Sequence, residues 1–260
     1  MREGGRVLLV GAGPGDPELL TIKAARALAR AEVVVHDRLV SAEVVALAPP
    51  AARRIDVGKT PGRHAVPQEA INALLVRQAL RGRTVVRLKG GDPLIFGRGG
   101  TDRLGLLAAG VPVEIVPGVT AAQAAAAAAG LCLTRRGVAT GLRYVTGHRC
   151  ADGPLDLDWA GLADPATTLV VYMGSANIAE IAARLMSHGV AGEMPVLAIA
   201  SATLPGERQL VSRLDAVARD AAEAGLVAPV VFIIGRVVAA CRPWSSAWMA
   251  ALETGVRLHA

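Results

Sequence analysis

Short runs of β-branched residues alternate with longer helical stretches, and this alternation constrains the chain more than any other feature. "RVLLV" (6–10), "EVVVH" (32–36), "RRIDV" (53–57), "TVVRL" (84–88) and "PVEIV" (112–116) read as strands. Residues 18–30, 41–48, 68–81 and 99–109 between them read as helices. In 68–81 the residues Ile71, Leu74, Leu75 and Ala79 share one face, and Gly82 follows as a stop. Strand and helix in strict alternation predict a largely parallel sheet covered on both faces.

"VPGVT" at 116–120 interrupts the pattern with Pro117 and Gly118. An Ala-rich helix, 121–129, follows it. Further strands are read in "LRYVT" (142–146), "TLVVYM" (168–173), "PVLAIAS" (195–201), "RQLVS" (208–212) and "PVVFIIG" (229–235), with helices at 177–188 and 214–224. The expectation is two α/β domains, 1–117 and 118–260, the second with some antiparallel pairing. The tail from Cys241 onward carries Trp244 and Trp248 and is expected to be peripheral.

Composition excludes several classes. No apolar run reaches the roughly 18–20 residues of a membrane span; the nearest, "AAQAAAAAAGLCL", is small in volume and broken by Gln123. No secretory leader pattern follows "MREGGR". Cys132, Cys150 and Cys241 are odd in number and lack CxxC spacing, which fits a reducing cytoplasm without disulfides or a metal site. The net charge of +6 comes almost wholly from arginine and suits either nucleic acid or a carboxylate-rich small molecule. Aromatics at 3% supply base stacking poorly, which argues against a nucleic-acid partner.

The chemistry lies in the loops. "VGAGPGDPELLT" (10–21) follows the first strand as a dinucleotide turn would, and Asp37 ends the second strand where a ribose-binding acid would stand. An NAD-dependent oxidoreductase is therefore one reading. Against it, the third glycine is replaced by Asp16, and Pro14 has no N–H to offer a phosphate. Asp37 is equally compatible with a helix cap or a catalytic base. "VGKTPGRHAVPQEAI" (57–71) is basic through Lys59, Arg63 and His64. "RLKGGDPLIFGRGG" (87–100) is the densest stretch. Gly90 and Gly91 let backbone approach a ligand, Asp92 can accept hydrogen bonds, Ile95 and Phe96 offer an apolar wall, and Arg98 a carboxylate fork. Thr120 can cap the Ala-rich helix, Arg135 and Arg136 sit on a turn, and Met173 closes a strand. No protein nucleophile is recognisable.

Seven segments in order resemble the tetrapyrrole methylase family: "VGAGPGDPELLTIKA", "VVHDRLVS", "VGKTPGRHAVPQEAIN", "VVRLKGGDPLIFGRGG", "VPGVTAA", "LTRRG" and "LVVYMG". The resemblance covers roughly residues 6–240 and is nearest to members that C-methylate uroporphyrinogen III. It implies two α/β domains with an active-site cleft between them, a cytoplasmic homodimer, and S-adenosyl-L-methionine as methyl donor. The implied acceptor is a polycarboxylate tetrapyrrole, methylated at C2 and C7 to give precorrin-2 through precorrin-1, for siroheme or cobalamin. A later-stage corrinoid methylase of the same fold is the related alternative. By matching position, cofactor contacts fall on Pro14, Gly90, Gly91, Asp92, Ile95, Thr120, Ala121, Met173 and Ala202. Asp37 matches the family's proton acceptor and Lys59 its proton donor. Arg38, Arg63, Phe96, Arg98, Arg135 and Arg136 are the expected substrate contacts. The chain departs from the family pattern at Thr101 and Asp102 (usually two Glu), at Arg135 (usually His) and at Ala200 (often an acid). Its Ala-rich helix replaces one that normally carries Pro and Tyr.

Overall fold

The computed structural model describes residues 4–58, 66–149 and 153–240. Lys59, Arg63 and the Trp-bearing tail therefore lie outside the described residues. The chain divides into two compact units, Met1–Ala121 and Ala122–Ala260.

The first unit runs β1 (Arg6–Gly11), α1 (Ile22–Ala29), β2 (Val33–His36), α2 (Ala42–Ala46), β3 (Arg53–Asp56), α3 (Gln68–Ala79), β4 (Thr84–Lys89), α4 (Gly99–Ala108) and β5 (Val113–Val116). Its strands form one sheet in the order β3-β2-β4-β1-β5, and every pairing is parallel. The alternation in the sequence therefore reads correctly. Val86 and Leu88 pack with Leu28 and Val44 on one face, while Val85 packs with Ile71, Leu75 and Leu106 on the other. By the same period of two, Arg87 and Lys89 share Val85's face. Because β4 lies between β1 and β2, the loops leaving these three strands stand side by side at the carboxyl edge, where ligands bind in sheets of this kind.

One expected helix is broken. Residues 18–30 form a 3-10 turn, Pro17–Leu19, and then α1. Asp16 caps the turn by accepting from the Glu18 amide at 2.8 Å, and Thr21 starts a fresh helix by accepting from Ala24 at 3.1 Å. Apolar periodicity runs through the break, so only the cap residues mark it.

The second unit runs α5 (Ala121–Ala128, beginning at the boundary), β6 (Gly141–Thr146), α6 (Trp159–Leu162), β7 (Thr167–Tyr172), α7 (Ile178–Ser187), β8 (Pro195–Ala200), β9 (Arg208–Arg213), α8 (Val217–Glu223), β10 (Val230–Ile234) and α9 (Val237–Ala240). The sheet order is β6-β7-β10-β8-β9. Only β6 and β7 pair in parallel; β10 with β7, β10 with β8, and β8 with β9 are antiparallel. Its core gathers Leu169, Val171, Ile181, Leu185, Val217 and Phe232. The short helices α6 and α9 have no counterpart in the sequence reading, because one turn is too short to show a period of 3.6.

No helix among the described residues is long and apolar enough to cross a membrane.

Candidate active site

Three glycine-bearing turns converge at the carboxyl edge of the first sheet. They leave β1, β4 and β5, and the backbones touch. A Cβ on Gly118 would lie 2.3 Å from the Gly91 carbonyl oxygen and 2.8 Å from the Gly11 Cα. A Cβ on Gly11 would lie 2.5 Å from the Gly118 nitrogen. Only glycine fits at these two positions, because the obstructing atoms are main chain and cannot move aside.

The turns also hydrogen-bond to each other. The Gly13 amide donates to the Gly91 carbonyl at 3.2 Å, and the Gly91 amide donates to the Gly13 carbonyl at 2.7 Å. A dinucleotide turn aims such amides at pyrophosphate. Here they are engaged with one another, and half-buried Pro14 follows with no amide. The bared backbone expected at Gly91 is thus turned inward. Asp92 is similarly engaged: one oxygen accepts from the Leu94 amide at 2.8 Å and the other from Gly118 at 3.0 Å. It ties the β4 turn to the β5 turn.

Around this knot lie the other expected contacts of the unit. Gly90 sits against Leu39, whose Cβ would be 3.0 Å from an added methyl. Thr120 is buried and Ala121 is half-buried beside it. Ile95 is half-buried, while Phe96 is 40% exposed with a left-handed φ of 51°. Exposed Arg98 precedes α4 with φ 57°. Non-glycine residues held in this region of backbone space cost about 1–3 kcal/mol each and cluster at functional sites.

Beneath the turns, the sheet buries charge. Lys89 donates to Asp102 at 2.7 Å, with side chains 6% and 0% exposed. Gln68 donates to the other Asp102 oxygen. Burial, and next the neighbouring Arg87 charge, pull the Lys89 ammonium below its ordinary range against the opposing pull of Asp102. Asp102, seen in the sequence only as a departure from the family pattern, is thus a structural counter-ion inside the first unit. Arg87, 4% exposed, reaches Asp37 at 3.4 Å. The Asp37 side chain is 29% exposed, and its Oδ1 also accepts from the Leu39 amide at 3.2 Å. Neither Arg87 nor the Lys89–Asp102 pair was singled out by the sequence; two cations spaced i, i+2 in an otherwise apolar strand were the available signal.

Beside Asp37 opens a cavity of about 450 Å³, lined among others by His36, exposed Arg38, Arg54 and Asp56. The Arg54 guanidinium is anchored to the Ala48 carbonyl at 2.9 Å, and Asp56 accepts from the Gly58 amide at 2.7 Å.

The second unit carries its expected contacts on strained loops. Met173 leaves β7 with φ 53° and is 50% exposed, so it is not a core methionine. Ala202 lies between Ser201 (φ 51°) and Thr203 (φ 68°) in the turn after β8. Arg135 and Arg136 are exposed on a turn closed by the Arg135–Ala139 bridge. At the start of α5, the Ala122 amide donates to the Tyr172 hydroxyl at 3.2 Å, a capping role that the sequence assigned to Thr120. Tyr172 stacks edge-on with Tyr144 at 5.5 Å, and burial pushes the Tyr144 phenol up.

The donor set of the first unit fits a phosphate-free nucleoside cofactor better than a dinucleotide, since the amides of Gly13 and Gly91 are taken and Pro14 supplies none. Among the described residues no cluster of His, Cys, Asp and Glu side chains could hold a metal ion.

Comparison with known proteins agrees. Residues 6–218 match the family of Tetrapyrrole (Corrin/Porphyrin) Methylases. The chain is 60% identical to a uroporphyrinogen-III C-methyltransferase of Paracoccus denitrificans, over 90% of this chain and 82% of that one. It is 50% identical to a siroheme synthase of Methylococcus capsulatus, of which it covers 49%, about half the length. A crystal structure of the Thermus thermophilus uroporphyrin-III C-methyl transferase in complex with S-adenosyl homocysteine superposes with a TM-score of 0.75 at 45% identity, covering 90% of this chain and 93% of that one. The chain belongs to the tetrapyrrole methylase family.

Proposed function

We propose that this chain is an S-adenosylmethionine-dependent methyltransferase that methylates two pyrrole carbons of uroporphyrinogen III. The product is precorrin-2, formed through precorrin-1, on the way to siroheme or cobalamin. The structural observation that carries this is the closed Gly13–Gly91 pair, which removes the phosphate-binding amides from a turn otherwise shaped for a nucleotide. The likeness to enzymes named for this reaction supplies the substrate.

In this reading Pro14, Gly90, Gly91, Asp92, Ile95, Thr120, Ala121, Met173 and Ala202 are the cofactor contacts. When bound, S-adenosylmethionine supplies an electrophilic methyl group on a positively charged sulfur. The protein aligns that methyl with an electron-rich pyrrole carbon and excludes water, so effective concentration provides most of the acceleration. Asp37, open to solvent on one side, takes the proton that the methylated macrocycle must lose. Lys59 serves as proton donor. Arg38, Arg63, Arg98, Arg135 and Arg136 pair with the substrate carboxylates, and Phe96 packs against the ring. The active form is a cytoplasmic homodimer, which sedimentation would test.

Incubation with methyl-labelled adenosylmethionine and mass spectrometry of the macrocycle test the reading. Addition of two labelled methyl groups to uroporphyrinogen III is expected. No labelled product, together with no S-adenosylhomocysteine binding by calorimetry, would overturn it. Turnover of a precorrin but not of uroporphyrinogen III would move the chain to a later corrinoid step.

A further inference from the structure

The geometry points to Arg87 as the residue that positions Asp37 for proton removal. The inference rests on the proposed role of Asp37 as base.

On β4, two cations face the same side of the sheet, and each meets one carboxylate. Lys89 is satisfied by Asp102, which is wholly buried and held on its other oxygen by Gln68. Lys89 acts on Asp37 only through space, and Arg87 is the β4 cation that reaches it within hydrogen-bond distance. The Arg87 guanidinium is itself immobilised from below. Its Nη1 donates to the Leu88 carbonyl at 2.7 Å and to the Val35 carbonyl at 3.4 Å. Its Nη2 faces Asp37 Oδ2 at 3.4 Å. Its Nε is buried with no hydrogen-bond partner, so the group stays buried at the expense of an unsatisfied donor.

Asp37 stands in the opposite condition, at the end of a strand and partly open. A short carboxylate there has several rotamers, and the Leu39 amide restrains only one oxygen. Arg87 restrains the other. The two donors approach from different elements, the Leu39 turn and the buried strand β4. Together they place one donor on each oxygen of a carboxylate that stays 29% exposed.

In the step concerned, a C–H bond of the methylated, cationic macrocycle breaks. The proton goes to an Asp37 oxygen, and the electron pair returns to the ring, which becomes neutral. A carboxylate held in one orientation meets that C–H without first paying rotational entropy. Arg87 touches neither substrate nor cofactor in this scheme and acts only through Asp37.

The test compares Arg87→Met, Arg87→Lys, Asp37→Asn and the Arg87→Met/Asp37→Asn double variant. Turnover, S-adenosylhomocysteine affinity and thermal unfolding are measured on each, with a crystal structure of Arg87→Met. We expect Arg87→Met to slow turnover by about tenfold, a part of the roughly 10²–10⁴-fold that a positioned base supplies. Cofactor affinity should stay within about twofold, and the Asp37 carboxylate should be rotated from its position. Arg87→Lys, which keeps the charge, should recover part of the loss. If Arg87→Met does not fold, Arg87→Lys carries the comparison by its own lowered turnover at unchanged cofactor affinity. In the Asp37→Asn background the Arg87→Met change should add less than about twofold, because the two side chains act as a unit. Multiplying effects, or an unmoved Asp37 with undiminished turnover, would overturn the inference while leaving Asp37 as base. Full turnover by Asp37→Asn alone would remove that base, and the inference with it.

Discussion

Among the described residues the buried polar side chains are Gln78, Arg87, Lys89, Asp102 and Thr120 in the first unit and Thr168 and Ser212 in the second. The first sheet thus carries ionised groups into its interior, at the carboxyl ends of parallel strands. The second, among its described residues, buries only the uncharged polar side chains Thr168 and Ser212 and presents its expected contacts, Met173 and the residues around Ala202, on strained turns at strand ends. Both arrangements give precise placement by different means. Buried charge is precise because unpaired charge in low dielectric is so unfavourable that few geometries survive. A strained exposed side chain is precise only when a rigid core beneath it over-determines the backbone.

The largest effects should come from the two interiors. Phe232→Ala in the second core should cost about 3–5 kcal/mol in denaturant unfolding. Lys89→Met should cost a similar amount, about 3–5 kcal/mol, by leaving Asp102 buried and unpaired. The pair differs in rescue. Adding Asp102→Leu should restore most of the Lys89→Met loss, whereas no single polar change should restore Phe232→Ala. A Lys89→Met cost near zero would break the contrast between the units.

Gly118→Ala comes next. Its methyl would meet the Gly91 carbonyl at 2.3 Å, so we expect about 1–3 kcal/mol of destabilisation together with weakened S-adenosylhomocysteine binding. Met173→Gly should act in opposite directions on stability and function. Relief of the positive φ should raise stability by about 1 kcal/mol, while cofactor affinity falls, as read by thermal unfolding and calorimetry. Loss of both together would show that Met173 is held for packing.

The smallest effect concerns acid. The Thr167 hydroxyl, then the Ala166 amide, hold the exposed Asp164 carboxyl below its ordinary 3.8. A depressed carboxylate contributes stability that is present above its unfolded value and lost as pH falls through the folded one. Asp164→Asn should therefore lower stability slightly at neutral pH and flatten the fall in stability below about pH 4.

Much of this was legible in the chain. Val33, Val34 and Val35 announce a strand, and "KGGDP" announces a turn of bared backbone, though the sequence aimed that backbone at a ligand and the fold turns Gly91 toward Gly13. The motifs also located Asp37 at a strand end. Less legible were the partners. Nothing local says that Gly13 and Gly91, far apart in sequence, satisfy each other's amides, or that Asp92 joins the β4 and β5 turns. Asp102 was visible only as an oddity, and its role as counter-ion to Lys89 depends on α4 packing on the face of the sheet that Lys89 shares.

What the sequence determined by itself is the order and kind of the longer elements, because hydrophobic period and cap residues are local properties. What only the tertiary structure decided is which polar groups remain available for a ligand. Hydrogen-bond and charge satisfaction are settled between segments brought together by folding, since a buried donor or ion must find its partner wherever the chain places one.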